Sequence, residues 1–210
     1  MKWNPPLGLL LLSVLFSLSA CAQALTYSAE PIEAWVINAE TKQPLEGVIV
    51  TANWQLEEGT FGGSVPAGQL MVMEAVTDRD GKFTFPGWGP LKPKKGHLVD
   101  QDPRLLFFKS GYESRWLQNE YNSSRELRTR PIRRSDWKGK RIEMKKFTGT
   151  SKEWFKMLER SIPPIDGPED TKKISTLLKA ILAEENSIPD SIERKHVFFD
   201  GIVRYFLEGK

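Results

Sequence analysis

The sequence predicts a mainly β fold followed by a helical C-terminal tail, and three observations carry that expectation. Apolar residues alternate with period two through Ile32–Ile37, Val48–Trp54 and Lys140–Phe147, while Arg104–Lys109 is an apolar run of strand length. That spacing places one set of side chains on a buried sheet face. Turn-forming clusters such as Asp78-Arg79-Asp80-Gly81 and Ser110-Gly111 separate the runs, as expected for short strands. After Gly149 the apolar period lengthens to that of a helix.

The strands follow in order. Ile32, Ala34 and Val36 alternate with Glu33, Trp35 and Ile37, then Asn38 to Pro44 turns the chain into Gly47–Trp54. Gly59 to Gly68, punctuated by Gly62, Gly63 and Pro66, reads as a loop. It lacks the Gly-Lys-Ser/Thr of a phosphate cradle. Met71–Asp78 and Lys82–Phe85 read as a hairpin about Asp78–Gly81, because Asp caps backbone amides and Gly accepts a positive φ. Pro86 to Pro103, which holds His97, reads as a long excursion over one end of the fold. Arg104–Lys109 and Tyr112–Leu117 pair next, Asn119 to Asp136 is polar and irregular, and Lys140–Phe147 closes a seventh strand.

The tail begins at Thr150-Ser151-Lys152-Glu153, a capping box ahead of Trp154, Phe155 and Leu158, and Ser161-Ile162-Pro163-Pro164 stops that helix. Ile174, Leu177, Leu178, Ile181 and Leu182 form a second stripe. Pro189 opens a third, with Ile192, His196, Phe199 and Val203 on one side.

Cys21, the only cysteine, follows Leu18-Ser19-Ala20 and an apolar run from Leu7. Lys2, the apolar run and the small-residue exit make a secretory signal, too short to span a bilayer as a permanent helix. The box resembles that of bacterial lipoproteins, in which cleavage precedes the cysteine and its sulfur receives lipid. Ala22 in place of Asp implies, by the same resemblance, an outer-membrane protein facing the periplasm. Ala22-Gln23-Ala24 offers a second, ordinary cleavage site that would release a soluble chain. The expected organisation is a signal over residues 1–20, a tether over 21–30, a sandwich over 31–148 and a helical region over 149–210. A lone cysteine forms no intramolecular disulfide, so a packed core must hold the domain.

The net charge of +3 conceals an asymmetry. Ala22 to Gly81 carries nine acidic and two basic residues, whereas Arg125 to Lys146 carries ten basic residues against Glu126, Asp136 and Glu143. An exported basic segment is expected to meet its own acidic first third or an anionic envelope glycolipid rather than nucleic acid.

Ile32 to Tyr112 resembles the carboxypeptidase regulatory-like domain, a transthyretin-like β-sandwich. Thr41-Lys42-Gln43-Pro44-Leu45-Glu46-Gly47-Val48, Thr77-Asp78-Arg79-Asp80-Gly81-Lys82-Phe83 and Lys109-Ser110-Gly111-Tyr112 carry the resemblance. It implies a non-catalytic transthyretin-like sandwich, seven-stranded by the runs above; the two or three amphipathic helices that follow lie outside the resemblance.

Catalytic and metal chemistry is thinly provided. His97 and His196 are the only histidines, too few for a His/Cys metal centre, so no metal or cofactor is expected. Ser64 with His97 is the sole nucleophile–base pairing that the sequence suggests. Trp88 and Trp137, with Arg133 and Arg134, are the candidate ligand contacts, since an indole outside a strand can stack on a sugar or anchor a peptide. The expectation is therefore a non-catalytic, lipid-anchored envelope protein acting as an interaction or structural module with an envelope protein or glycan. A soluble periplasmic or secreted glycan- or peptide-binding protein is the alternative, and a hydrolase the third.

Overall fold

A computed structural model describes residues 26–99, 102–119 and 132–188. The chain forms a β-sandwich with a helical layer on one outer face. Its strands are β1 Tyr27–Ala29, β2 Ile32–Asn38, β3 Ile49–Thr60, β4 Gly63–Val76, β5 Lys82–Phe85, β6 Trp88–Leu91, β7 His97–Leu98, β8 Arg104–Phe108, β9 Arg115–Leu117, β10 Ile132–Arg133 and β11 Arg141–Met144. The helices are α1 Ser151–Glu159, α2 Pro168–Lys173 and α3 Ser175–Ser187.

The largest sheet has the order β4-β3-β8-β9, with β7 added beside β3, and faces two smaller ones ordered β11-β2-β5 and β10-β1-β6. Between the layers lie Ile32, Val36, Val50, Trp54, Phe83 and Phe107 among others, all buried. The opposite face of the large sheet presents Ile49, Val72, Leu106 and Phe108 to Trp154, Phe155, Leu158, Leu177, Leu178 and Ile181 of the helices. β8 is therefore buried on both faces, which explains its unbroken Leu-Leu-Phe-Phe run. The helical stripes described here pack on the chain's own sheet; the expected third helix from Pro189 lies outside the described residues.

Several expectations change. Gly59 to Gly68 is not a loop but the outer end of the β3–β4 hairpin, closed by Phe61 and Gly62 between paired Thr60 and Gly63. Its glycines serve irregular strand rather than coil, with register shifts at Trp54/Gln55 and Gln55/Glu57. The Asp78–Gly81 turn has the expected chemistry: Asp78 Oδ1 accepts from the amides of Asp80 and Lys82, and Gly81 has φ +72°. It does not close a hairpin, however, because β4 belongs to the large sheet while β5 pairs with β2. Thr77 pins that crossover: its hydroxyl donates to Leu45 O at 2.6 Å and accepts from Val48 N at 2.8 Å.

Within the stretch read as tether, Tyr27 and Ala29 are buried and pair with β6 and β10. The excursion from Pro86 to Pro103 likewise supplies β6 and β7. At Thr150 the capping box forms as read, with Thr150 Oγ1 accepting from Glu153 N and Glu153 Oε2 accepting from Thr150 N.

Candidate functional site

β6 leaves the sandwich at Leu91 and the chain returns as β7 at His97. The intervening Lys92–Gly96 is clamped at both ends, through Leu91 paired with Tyr27 and His97 paired with Glu57. Gly96 presses onto β3 so closely that a Cβ there would overlap the Glu57 carbonyl. Its φ of +68° is also a glycine conformation. The result is a cleft of about 360 Å³ with an apolar floor of Leu56, Ala67, Leu70 and Leu91, rimmed by Lys92, Lys94 and Lys95.

Across the cleft stand Gln69 and Asp166. Asp166 crosses β4 at Gly68, where any side chain would collide with its carboxylate. The three lysines are exposed, and among the described residues none of them forms an ion pair. A cluster of unpaired ammonium groups above an apolar floor suits an anion that carries a hydrocarbon portion.

A second cleft, of about 350 Å³, lies between β9 and β11. Its polar groups largely satisfy one another, with Arg115 Nη1 donating to Glu143 O at 2.8 Å and Glu113 N donating to Lys145 O at 2.9 Å.

The residues singled out in the sequence do not assemble into one surface. Cys21 lies outside the described residues. Trp137 is 6% exposed and belongs to the sandwich core. Arg133 is 1% exposed, with its guanidinium over the Tyr27 ring at 5.4 Å and Nη2 donating to Leu98 O at 3.4 Å. Neither is available to a ligand at the surface, because β10 joins the sheet beside β1 and carries Arg133 inward. Arg134 alone points out, with Nε on Glu30 Oε1 at 2.8 Å. Trp88 packs edge-on against Trp54 at 5.4 Å. The lysine-rich character of Lys92-Pro93-Lys94-Lys95 is plain in the sequence; that these residues rim a cleft on the sandwich is not, because the floor comes from β3, β4 and β6.

Behind this end lies a buried polar group, Asp102. Burial pushes its carboxyl well above the usual range, against the opposing pull of the Gln55 backbone amide, Arg133 and Arg104. Asn119 Nδ2 donates to Asp102 O at 2.9 Å and to Arg134 O at 2.6 Å, joining β10 to the start of β8. His97 Nε2 lies 3.1 Å from Glu57 Oε1 on the exposed sheet. Among the described residues its side chain bonds no serine hydroxyl, so Ser64 and His97 are not brought together. No group of three His, Cys, Asp or Glu side chains among the described residues could hold a metal ion.

No protein-family model matches the chain, and no curated protein matches it. Solved structures give only partial likenesses. The 3-chlorocatechol 1,2-dioxygenase of Rhodococcus opacus 1CP is 17% identical with a TM-score of 0.36, over 60% of this chain and 62% of the dioxygenase. The dioxygenase domain of a carbohydrate-binding fusion from Streptomyces sp. SirexAA-E is 15% identical with a TM-score of 0.31, over 62% of this chain and 86% of that domain. A 9R-lipoxygenase from Cyanothece PCC8801 is 16% identical with a TM-score of 0.30, over 90% of this chain and 30% of the enzyme.

The chain thus spans about three-fifths of the first of these proteins. All three are named as enzymes, and the expectation of a domain without catalysis is corrected accordingly: nothing in these likenesses supports excluding chemistry. At these identities and TM-scores the likeness assigns no fold family, activity or catalytic residue to this chain.

Proposed function

We propose that this chain is a lipid-anchored protein of the bacterial cell envelope, held at the outer membrane by acyl chains on Cys21, with its sandwich working against the membrane face. The Leu18-Ser19-Ala20-Cys21 box behind an apolar run carries this reading. Close apposition is supported by where the fold starts. Tyr27 is 1% exposed and paired into a sheet, so the link from Cys21 to Thr26 is five residue steps. Even fully extended, such a link reaches only about 18 Å, and acyl chains on one residue then hold the domain within that distance of the headgroups.

We also take the sandwich as kin to the carboxypeptidase regulatory-like domains, a reading supported by the positive φ of Gly47 and Gly81 within the two quoted motifs. Metabolic labelling with a radioactive fatty acid tests the anchor. The native protein should incorporate label and a Cys21→Ala variant should not. An unlabelled native protein whose first residue is Leu25 overturns the reading.

A further inference from the structure

We infer that the Lys92–Lys95 end of the sandwich is a docking surface for an anionic membrane, with the lysine cleft receiving lipid phosphate and the β3–β4 tip entering the interface. The inference rests on the anchor at Cys21, which decides which end of the domain meets the bilayer. β1 runs antiparallel to β6 with Tyr27 opposite Leu91 and Ala29 opposite Trp88. Thr26 therefore leaves the sheet in the direction of Lys92, at the end that bears the three lysines.

The β3–β4 hairpin points the same way. Glu57 pairs with His97, the residue that follows the lysine loop, and β3 continues beyond it to Thr60 and the tip. There Phe61 is wholly exposed and Val65 is 43% exposed. An aromatic side chain at a hairpin tip gains by entering the headgroup region, while lysines within a Debye length attract acidic lipid. Glu57 on this end is met by His97, Glu58 stands exposed on β3 toward the tip, and among the described residues Asp166 is the one carboxylate lining the cleft. Tether exit, ammonium groups and apolar tip converge on one end of one molecule.

Vesicle sedimentation tests this with the full mature chain carrying Cys21→Ala, so that no acyl group contributes. Phosphatidylcholine vesicles are compared with vesicles that also contain phosphatidylglycerol. The chain should sediment with the acidic vesicles and lose that binding as salt is raised. Lys92→Gln/Lys94→Gln/Lys95→Gln should weaken it about a hundredfold, Phe61→Ser should weaken it several-fold, and Asp166→Asn should tighten it. The proposal is overturned if the folded triple variant binds like its parent, if neutral vesicles bind equally well, or if inorganic phosphate saturates the cleft while acidic vesicles do not bind. Should the triple variant fail to fold, protection of Lys94 and Lys95 from amine acylation by acidic vesicles, measured on the parent, decides the matter. Fatty-acid labelling of the native protein without vesicle binding sinks this inference alone, whereas vesicle binding without labelling sinks only the anchor.

Discussion

Asp102 is fully buried, and its titration is coupled to folding. In the unfolded chain its carboxyl loses the proton near the ordinary value of about 3.9, whereas burial holds the proton on the folded chain to higher pH. Between the two values the folded state binds more protons, so stability falls as pH rises through that window. Below the unfolded value both states are protonated and the effect vanishes; above the folded value it is constant. Asp102→Asn removes the titration at nearly constant size, and Asn119 still donates to the main-chain oxygen of residue 102. The melting temperature of Asp102→Asn should therefore fall less than that of the parent between pH 4 and pH 7. Parallel pH profiles by circular dichroism would show that the carboxyl does not carry this coupling.

At the same scale, single residues also decided what the sequence could disclose. Asp78 and Gly81 announce their turn through local chemistry, and the turn forms as read. That the turn joins two sheets depends on the partners of Thr77, Leu45 and Val48, some thirty positions apart, which no local pattern records. Trp137 and Arg133 looked free because their segment is polar. β10, only two residues long, is too short to impose a period, yet its pairing with β1 buries Arg133.

Among the elements, β8 and α3 depend on one another. The alternation in β8 sends Leu105 and Phe107 into the sandwich and Leu106 and Phe108 toward the helices, so without the helical layer its second face would meet water. Leu178 is fully buried in that layer, whereas the neighbouring Lys179 is exposed. Leu178→Ala should cost about 2–5 kcal/mol in urea denaturation, through lost transfer energy and the cavity left behind. Lys179→Ala should stay within about 0.5 kcal/mol. Equal costs at the two positions would mean that α3 does not seal the sheet. The helical period was legible because the stripe is long and regular. The outer β3–β4 hairpin was not, since Gly62, Gly63, Pro66 and Gly68 obscure the alternation that Val65 and Ala67 would otherwise show.

Across the whole molecule, β3 measures the distance between two unlike ends. Its twelve residues, at about 3.4 Å each, separate the hairpin tip from the Ile49 end by roughly 40 Å. The Ile49 end carries the turns at Asn38–Gln43 and Asp78–Gly81 together with Lys109, whose Nζ donates to Glu46 O at 2.8 Å. Screening at physiological salt confines a membrane's potential to about 8 Å, so in a domain that stands on its tether end only that end feels the surface. Lys42 and Lys109 are thus internal references for Lys92, Lys94 and Lys95. In the acylated protein reconstituted into acidic vesicles, amine modification followed by mass spectrometry should be slowed several-fold at the cleft lysines and unchanged at Lys42 and Lys109. Uniform protection would mean that the domain lies flat, and protection confined to Lys42 and Lys109 that it stands the other way up. Uniform protection would overturn docking by the lysine end, and the inverted orientation is in addition incompatible with a tether that leaves the fold beside Leu91, because a link of about 18 Å cannot hold that end a full strand of roughly 40 Å away from the headgroups.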